Sequence, residues 1–73
     1  MFALNGGDLI VKVNGKELDI AGMTITDYLK TTAYELKYIA VEKNTMIVHK
    51  AKYDETIIED GDVIEVVSFV GGG

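Results

Sequence analysis

The chain has 73 residues, almost half of them apolar, and a formal net charge of −5 from seven lysines, no arginine and twelve acids. That length gives one small domain, 1–73, near the lower limit for a single core and with little room for a deep substrate pocket. The acidic balance disfavours nucleic acid as a partner, and the absence of cysteine excludes disulfides, thiolate metal ligands and a thiol nucleophile. No apolar run is long enough to cross a bilayer and residues 1–8 lack the features of a secretory signal, so a cytoplasmic protein with no membrane partner is expected.

Leu9 to Val13 alternates around Lys12 and runs into Asn14-Gly15, after which Lys16 to Ile20 reads as a return strand. Asn-Gly between apolar runs is a strong hairpin signal because both residues accept positive φ. Gly22 breaks the pattern, and a helix is predicted from Thr24 or Thr26, with a hydroxyl capping the first turn and Asp27 suiting the positive end. Ile25, Tyr28, Leu29, Ala33 and Leu36 recur at helical spacing, which predicts an apolar stripe and a helix ending near Tyr34 to Leu36. Tyr38 to Lys43 reads as a third strand with Ile39 and Val41 inward. Asn44-Thr45 is then a turn and Met46 to His49 a fourth strand. Lys50 to Ile58 has no clear period and reads as an irregular connection. Glu59-Asp60-Gly61-Asp62 reads as a tight turn with Gly61 in the left-handed position, and Val63 to Val70 as the last strand.

This order, ββαβββ, places one helix on one face of a mixed four- to five-stranded sheet, with the first and last strands adjacent. It is the α+β architecture of the β-grasp, or ubiquitin-like, fold. On the last strand Ile64 and Val66 point to one side, while Val63, Glu65, Val67 and Phe69 point to the other. Glu65 marks the second side as outward, and Lys12 does the same for Ile10 on the first strand. Ile10, Val67 and Phe69 are therefore the candidate docking patch for a protein partner. Half of the acids fall in the last twenty residues, at Asp54, Glu55, Glu59, Asp60, Asp62 and Glu65, and read as a solvated face.

Catalytic constellations are missing from the sequence. His49 is the lone histidine, and the carboxylates have no evident cleft in which one of them could become a general acid. Asn5-Gly6-Gly7 precedes a strand rather than opening a helix, so it is no phosphate loop. The distinctive feature lies instead at the end, Gly71-Gly72-Gly73. Residues without a Cβ can thread a narrow channel and present a terminal carboxylate to another protein's active site.

Asp60-Gly61-Asp62-Val63-Ile64-Glu65-Val66-Val67, followed by Phe69-Val70-Gly71-Gly72-Gly73, resembles the C-terminal signature of the thiamine-biosynthesis sulfur carriers (ThiS type). Asn14-Gly15-Lys16 is similar to that family's first hairpin turn, and Ala40 to Asn44 with Ile47-Val48 to its middle strand and turn. The resemblance implies a β-grasp fold and no catalysis by the chain alone. It implies that a ubiquitin-activating-like adenylyltransferase uses ATP to adenylate Gly73. Sulfur from a donor such as a cysteine desulfurase then displaces AMP, leaving a thiocarboxylate for thiazole synthase. Gly71 and Gly72 would thread both partners, and no cofactor would be bound beyond the covalent thiocarboxylate at Gly73. The chain departs from the pattern in its third glycine, in His49-Lys50 where a Pro-Arg pair is common, and in an N-terminal arm over residues 1–8. The rival readings are the molybdopterin synthase small subunit, a tRNA-thiolation carrier or ubiquitin-like modifier, and a plain β-grasp binding module with an idle tail.

Overall fold

The structure is a computed structural model, and it describes residues 10–69. The elements are β1 (Val11–Val13), β2 (Lys16–Leu18), α1 (Ile25–Lys30), β3 (Ile39–Lys43), β4 (Met46–Val48) and β5 (Val63–Ser68), with 3-10 turns at Leu36–Tyr38 and Lys50–Lys52. The strands form one mixed sheet in the order β2-β1-β5-β3-β4, in which β5 is central, parallel to β1 and antiparallel to β3. This is the β-grasp arrangement that the element order implies.

The first hairpin turns at Asn14-Gly15, with φ of 52° and 82° respectively, as an Asn-Gly step favours. The second turns at Asn44-Thr45, with φ of 54° and 72°, so a β-branched residue stands in the left-handed region. That conformation costs a residue with a Cβ on the order of 1–2 kcal/mol. Gly61 takes φ of 83° in the turn before β5.

Thr24 is the N-cap of α1, its Oγ1 accepting from the Asp27 N–H at 3.0 Å. The Thr26 hydroxyl instead donates to the Asp54 carboxylate. The helix is shorter than the apolar spacing predicts. The hydroxyls of Thr31 and Thr32 donate to the carbonyls of Tyr28 and Leu29, both at 2.7 Å, competing with helical continuation. Of the predicted stripe, Ile25, Tyr28 and Leu29 are buried, whereas Ala33 and Leu36 lie beyond the helix and are exposed.

The core joins these three side chains to Val11, Val13, Ile39, Val41, Ile64 and Val66 from the sheet, and to Tyr53 and Ile58 from the connection before β5. Full burial of each aliphatic side chain contributes roughly 1.5–3 kcal/mol. The connection is more ordered than its lack of period suggests. Ile58 and Met23 bond at 2.8 Å, Gly22 donates to the Ile58 carbonyl at 2.7 Å, and Thr24 bridges to Ile57. These contacts tie the connection to the start of α1. Among the described residues no helix is long and apolar enough to cross a membrane.

Candidate functional site

The strand that leads to the glycine tail is pinned on both flanks. Backbone bonds from Asn44 N to Val63 O (2.7 Å) and from Phe69 N to Tyr38 O (2.6 Å) show that the odd-numbered residues of β5 turn their polar backbone atoms toward β3. Lys12 N donates to Asp62 O (3.0 Å) and Asn14 N to Ile64 O (2.9 Å), so the even-numbered residues turn theirs toward β1.

Two turn asparagines extend this ladder with their side chains. Asn14 Oδ1 accepts from Val66 N at 2.7 Å and its Nδ2 donates to Val66 O at 3.2 Å, supplying an extra rung after β1 has ended. Asn44 Oδ1 accepts from Val63 N at 2.9 Å and its Nδ2 donates to Asp62 Oδ1 at 2.9 Å.

Asp62 sits at the centre of the upstream end of β5 and is buried, contrary to its reading as part of a solvated acidic face. Its Oδ2 accepts from the Glu59 N–H at 2.8 Å and lies 3.3 Å from the Lys43 ammonium. Burial acts to raise the carboxyl's pKa, but the Glu59 amide, the Asn44 amide and the Lys43 charge together outweigh it and hold the group below its ordinary value.

On the outer face of the downstream end, Val67 stands opposite Ala40, and Phe69 follows beside Tyr38. Phe69, Val67 and Tyr38 are 54%, 49% and 42% exposed. The structure thus brings Val67 and Phe69 onto one apolar surface at the base of the tail, but it does not bring Ile10 to them. The Ile10 carbonyl accepts from Gly61 N at 3.2 Å, placing Ile10 at the upstream end, where it is half-buried. The parallel register pairs Lys12 with Val63 and so sets Ile10 beside Gly61, eight residues before Phe69 and roughly 26 Å from it. Alternation put Ile10 on the outer face but said nothing of its height along the sheet. The missed members of the surface are Ala40 and Tyr38, which only the β3–β5 register identifies.

Glu42 and Glu65 face each other on this same outer face, between β3 and β5. Like charges directly opposite in a sheet destabilise it by roughly 0.2–1 kcal/mol. Among the described residues the ion pairs are Lys43–Asp62 and Lys52–Glu55, so neither glutamate is neutralised by one.

Nothing in the described residues assembles a catalytic or metal centre. No group of three or more His, Cys, Asp or Glu could hold a metal ion there. An open groove of about 220 Å³, lined by Thr26, Leu29, Lys30, Thr32, Tyr34 and Leu36, carries no acid–base pair. Gly71, Gly72 and Gly73, together with Val70 and the arm 1–8, lie outside the described residues.

Comparison with known proteins gives this arrangement a family. The ThiS family profile matches residues 11–73, a span that includes all three tail glycines. The sulfur carrier protein ThiS of Bacillus subtilis is 41% identical over 66 residues, covering 88% of this chain and 100% of that protein. A thiazole synthase of Paramagnetospirillum magneticum is 39% identical over 62 residues, but the chain spans only 19% of its length. Among solved structures, the thiamine biosynthesis protein (ThiS) of Geobacter metallireducens superposes with a TM-score of 0.74 at 29% identity, over 88% of this chain and 99% of that one. The sequence match, the central β5 and the glycine terminus agree: the chain belongs to the ThiS family.

Proposed function

We propose that the protein is a sulfur carrier of thiamine biosynthesis whose working group is the carboxylate of Gly73. The observation that carries this reading is that the family match continues through the tail to residue 73, on a strand pinned from both sides. The resemblance of residues 60–73 to the carrier signature and the thiamine-pathway names of the relatives support it over molybdopterin or tRNA-thiolation roles.

The chemistry assigns the chain a substrate's part. Hydroxide is a poor leaving group, so a carboxylate must be activated before sulfur can replace one of its oxygens. A Gly73 carboxylate oxygen attacks the α-phosphorus of ATP in an adenylyltransferase, and pyrophosphate leaves. Hydrosulfide, released by a thiol reductant from the persulfide of a donor such as a cysteine desulfurase, then attacks the carbonyl carbon, AMP departs, and a thiocarboxylate remains for thiazole synthase. The partner enzymes supply the nucleotide site and charge stabilisation. Gly71 and Gly72 thread their channels because no Cβ obstructs the approach. Val67 and Phe69, with Ala40 and Tyr38, form the surface on which those partners dock. The thiazole synthases that share this chain's sequence over a small part of their length support thiazole synthase as the receiver.

The test is intact-mass spectrometry after incubation with the cognate adenylating enzyme, ATP and a sulfur source. Replacement of one oxygen by sulfur, localised to Gly73, is expected. An unchanged mass with a demonstrably active partner enzyme would leave the protein as a β-grasp binding module.

A further inference from the structure

We propose that Asn14 is a site of spontaneous covalent modification, and that its conversion releases the downstream end of β5. The inference stands on the first hairpin and its side-chain bonds to Val66, and does not depend on the carrier role. Asn14 is followed by Gly15, whose amide nitrogen is unhindered by a side chain. In such a step the Gly15 backbone nitrogen attacks Asn14 Cγ and loses its proton, the Cγ–Nδ2 bond breaks, and ammonia leaves. The resulting five-membered imide takes up water at either carbonyl. One opening gives aspartate, and the other gives isoaspartate with an extra methylene in the main chain.

The fold restrains this reaction because it occupies both ends of the amide. Oδ1 accepts from Val66 N at 2.7 Å and Nδ2 donates to Val66 O at 3.2 Å, while Asn14 and Gly15 are fixed at positive φ. Attack requires Cγ to leave Val66 and approach the next amide, so the rung must open first. The product cannot close it again. A carboxylate at position 14 keeps the acceptor for Val66 N but loses the donor to Val66 O, and sets two acceptors against each other. Isoaspartate lengthens a two-residue turn and shifts the β1–β2 register as well. Because β1 itself pairs with β5 only at Val63 and Ile64, loss of this rung leaves Val66 with one fewer restraint on the way to the tail.

The sequence provides its own controls. Cleavage after lysine isolates Val13–Lys16, which contains Asn14, from residues 1–12, which contain Asn5-Gly6, and from Asn44–Lys50. The full chain is incubated at mildly alkaline pH with and without denaturing urea, and amide-to-acid conversion is followed in each peptide. We expect Asn14 to convert at least about tenfold faster in urea than in the native protein, as for a reaction gated by local opening. Asn44, similarly clamped but followed by Thr45, is expected to convert far more slowly in urea. A second measurement is hydrogen exchange at Val66 in Asn14→Asp, where repulsion between the new carboxylate and the Val66 carbonyl should open the rung and speed exchange by about five- to tenfold. Equal Asn14 rates in both conditions, an unmodified Asn14 in urea after Asn5 has converted, or unchanged Val66 exchange in Asn14→Asp would each overturn the proposal.

Discussion

The two ends of β5 are held by different chemistry. Upstream, the buried Asp62 carboxylate accepts from the Glu59 backbone amide and the Asn44 side-chain amide and lies beside the Lys43 ammonium. Downstream, a neutral amide from Asn14 and a backbone bond to Tyr38 hold the strand, and the outer side chains Val67 and Phe69 are left half exposed. A buried carboxylate with several donors is expensive to disturb, whereas exposed apolar side chains contribute little to the folded state. Stability is therefore concentrated at the upstream end of β5, and the proposed docking residues Val67 and Phe69 lie at the end that contributes less to it.

The sharpest test separates tail from fold. Removing Gly72 and Gly73 should abolish sulfur transfer while leaving the thermal midpoint unchanged, and full transfer by a chain ending at Val70 would sink the carrier reading. Asp62→Ala should act oppositely on stability. It strands the Glu59 amide, the Asn44 amide and the Lys43 charge, so urea unfolding should show a loss of about 3 kcal/mol. A loss confined to a few tenths would mean that the network does not anchor β5.

The same carboxylate fixes a pH dependence. Its folded pKa lies below the ordinary value of 3.8, so its stabilisation is fully present above the unfolded value and is lost as pH falls through the lower folded value. Comparing urea midpoints of the wild type and Asp62→Asn, the advantage of the wild type should hold down to about pH 4 and shrink only below it. A gap that closes nearer neutrality would assign the effect to another group.

At the downstream end, Phe69→Ser should weaken partner binding by about tenfold while changing unfolding stability by less than about 0.5 kcal/mol. Calorimetric titration paired with thermal melts checks both. The smallest effect concerns Thr45, whose φ of 72° favours glycine. Thr45→Gly relieves the left-handed strain at some cost in backbone entropy, for a net gain of roughly 0.5 kcal/mol in urea unfolding.

Local chemistry made much of this legible in the chain. Asn14-Gly15 announces its hairpin, Thr24 and Thr26 are the hydroxyls placed to cap α1, Gly61 marks its turn, and alternation around Glu65 separates the two faces of β5. What escaped was decided by tertiary partners. The end of α1 depends on where the Thr31 and Thr32 hydroxyls bond, and apolar spacing through Ala33 and Leu36 does not record that. Asp62 resembles its acidic neighbours in sequence and is distinguished only by the donors that surround it in space. Ile10 shares an outer face with Phe69, but the register of β1 against β5 sets them far apart. Tyr53 and Ile58 are hidden in a segment without period because Tyr53 reaches the core from a turn and Ile58 from the chain just after the Thr24–Ile57 bridge.

The position of β5 also dictates the order of events when the chain folds. The strand that leads to the tail is the last in sequence yet the middle one of the sheet, and its side-chain rung to Asn14 spans 52 residues. Until residues 63–68 are available, β1 and β3 have no common neighbour, and each hairpin is left as a two-stranded fragment of marginal stability. Closure must therefore wait for contacts distant in sequence, which slows folding relative to a helical domain of this size. The sheet closes only when residues 63–68 pair with both hairpins, so a partner that reads the sheet face binds a chain that has already folded.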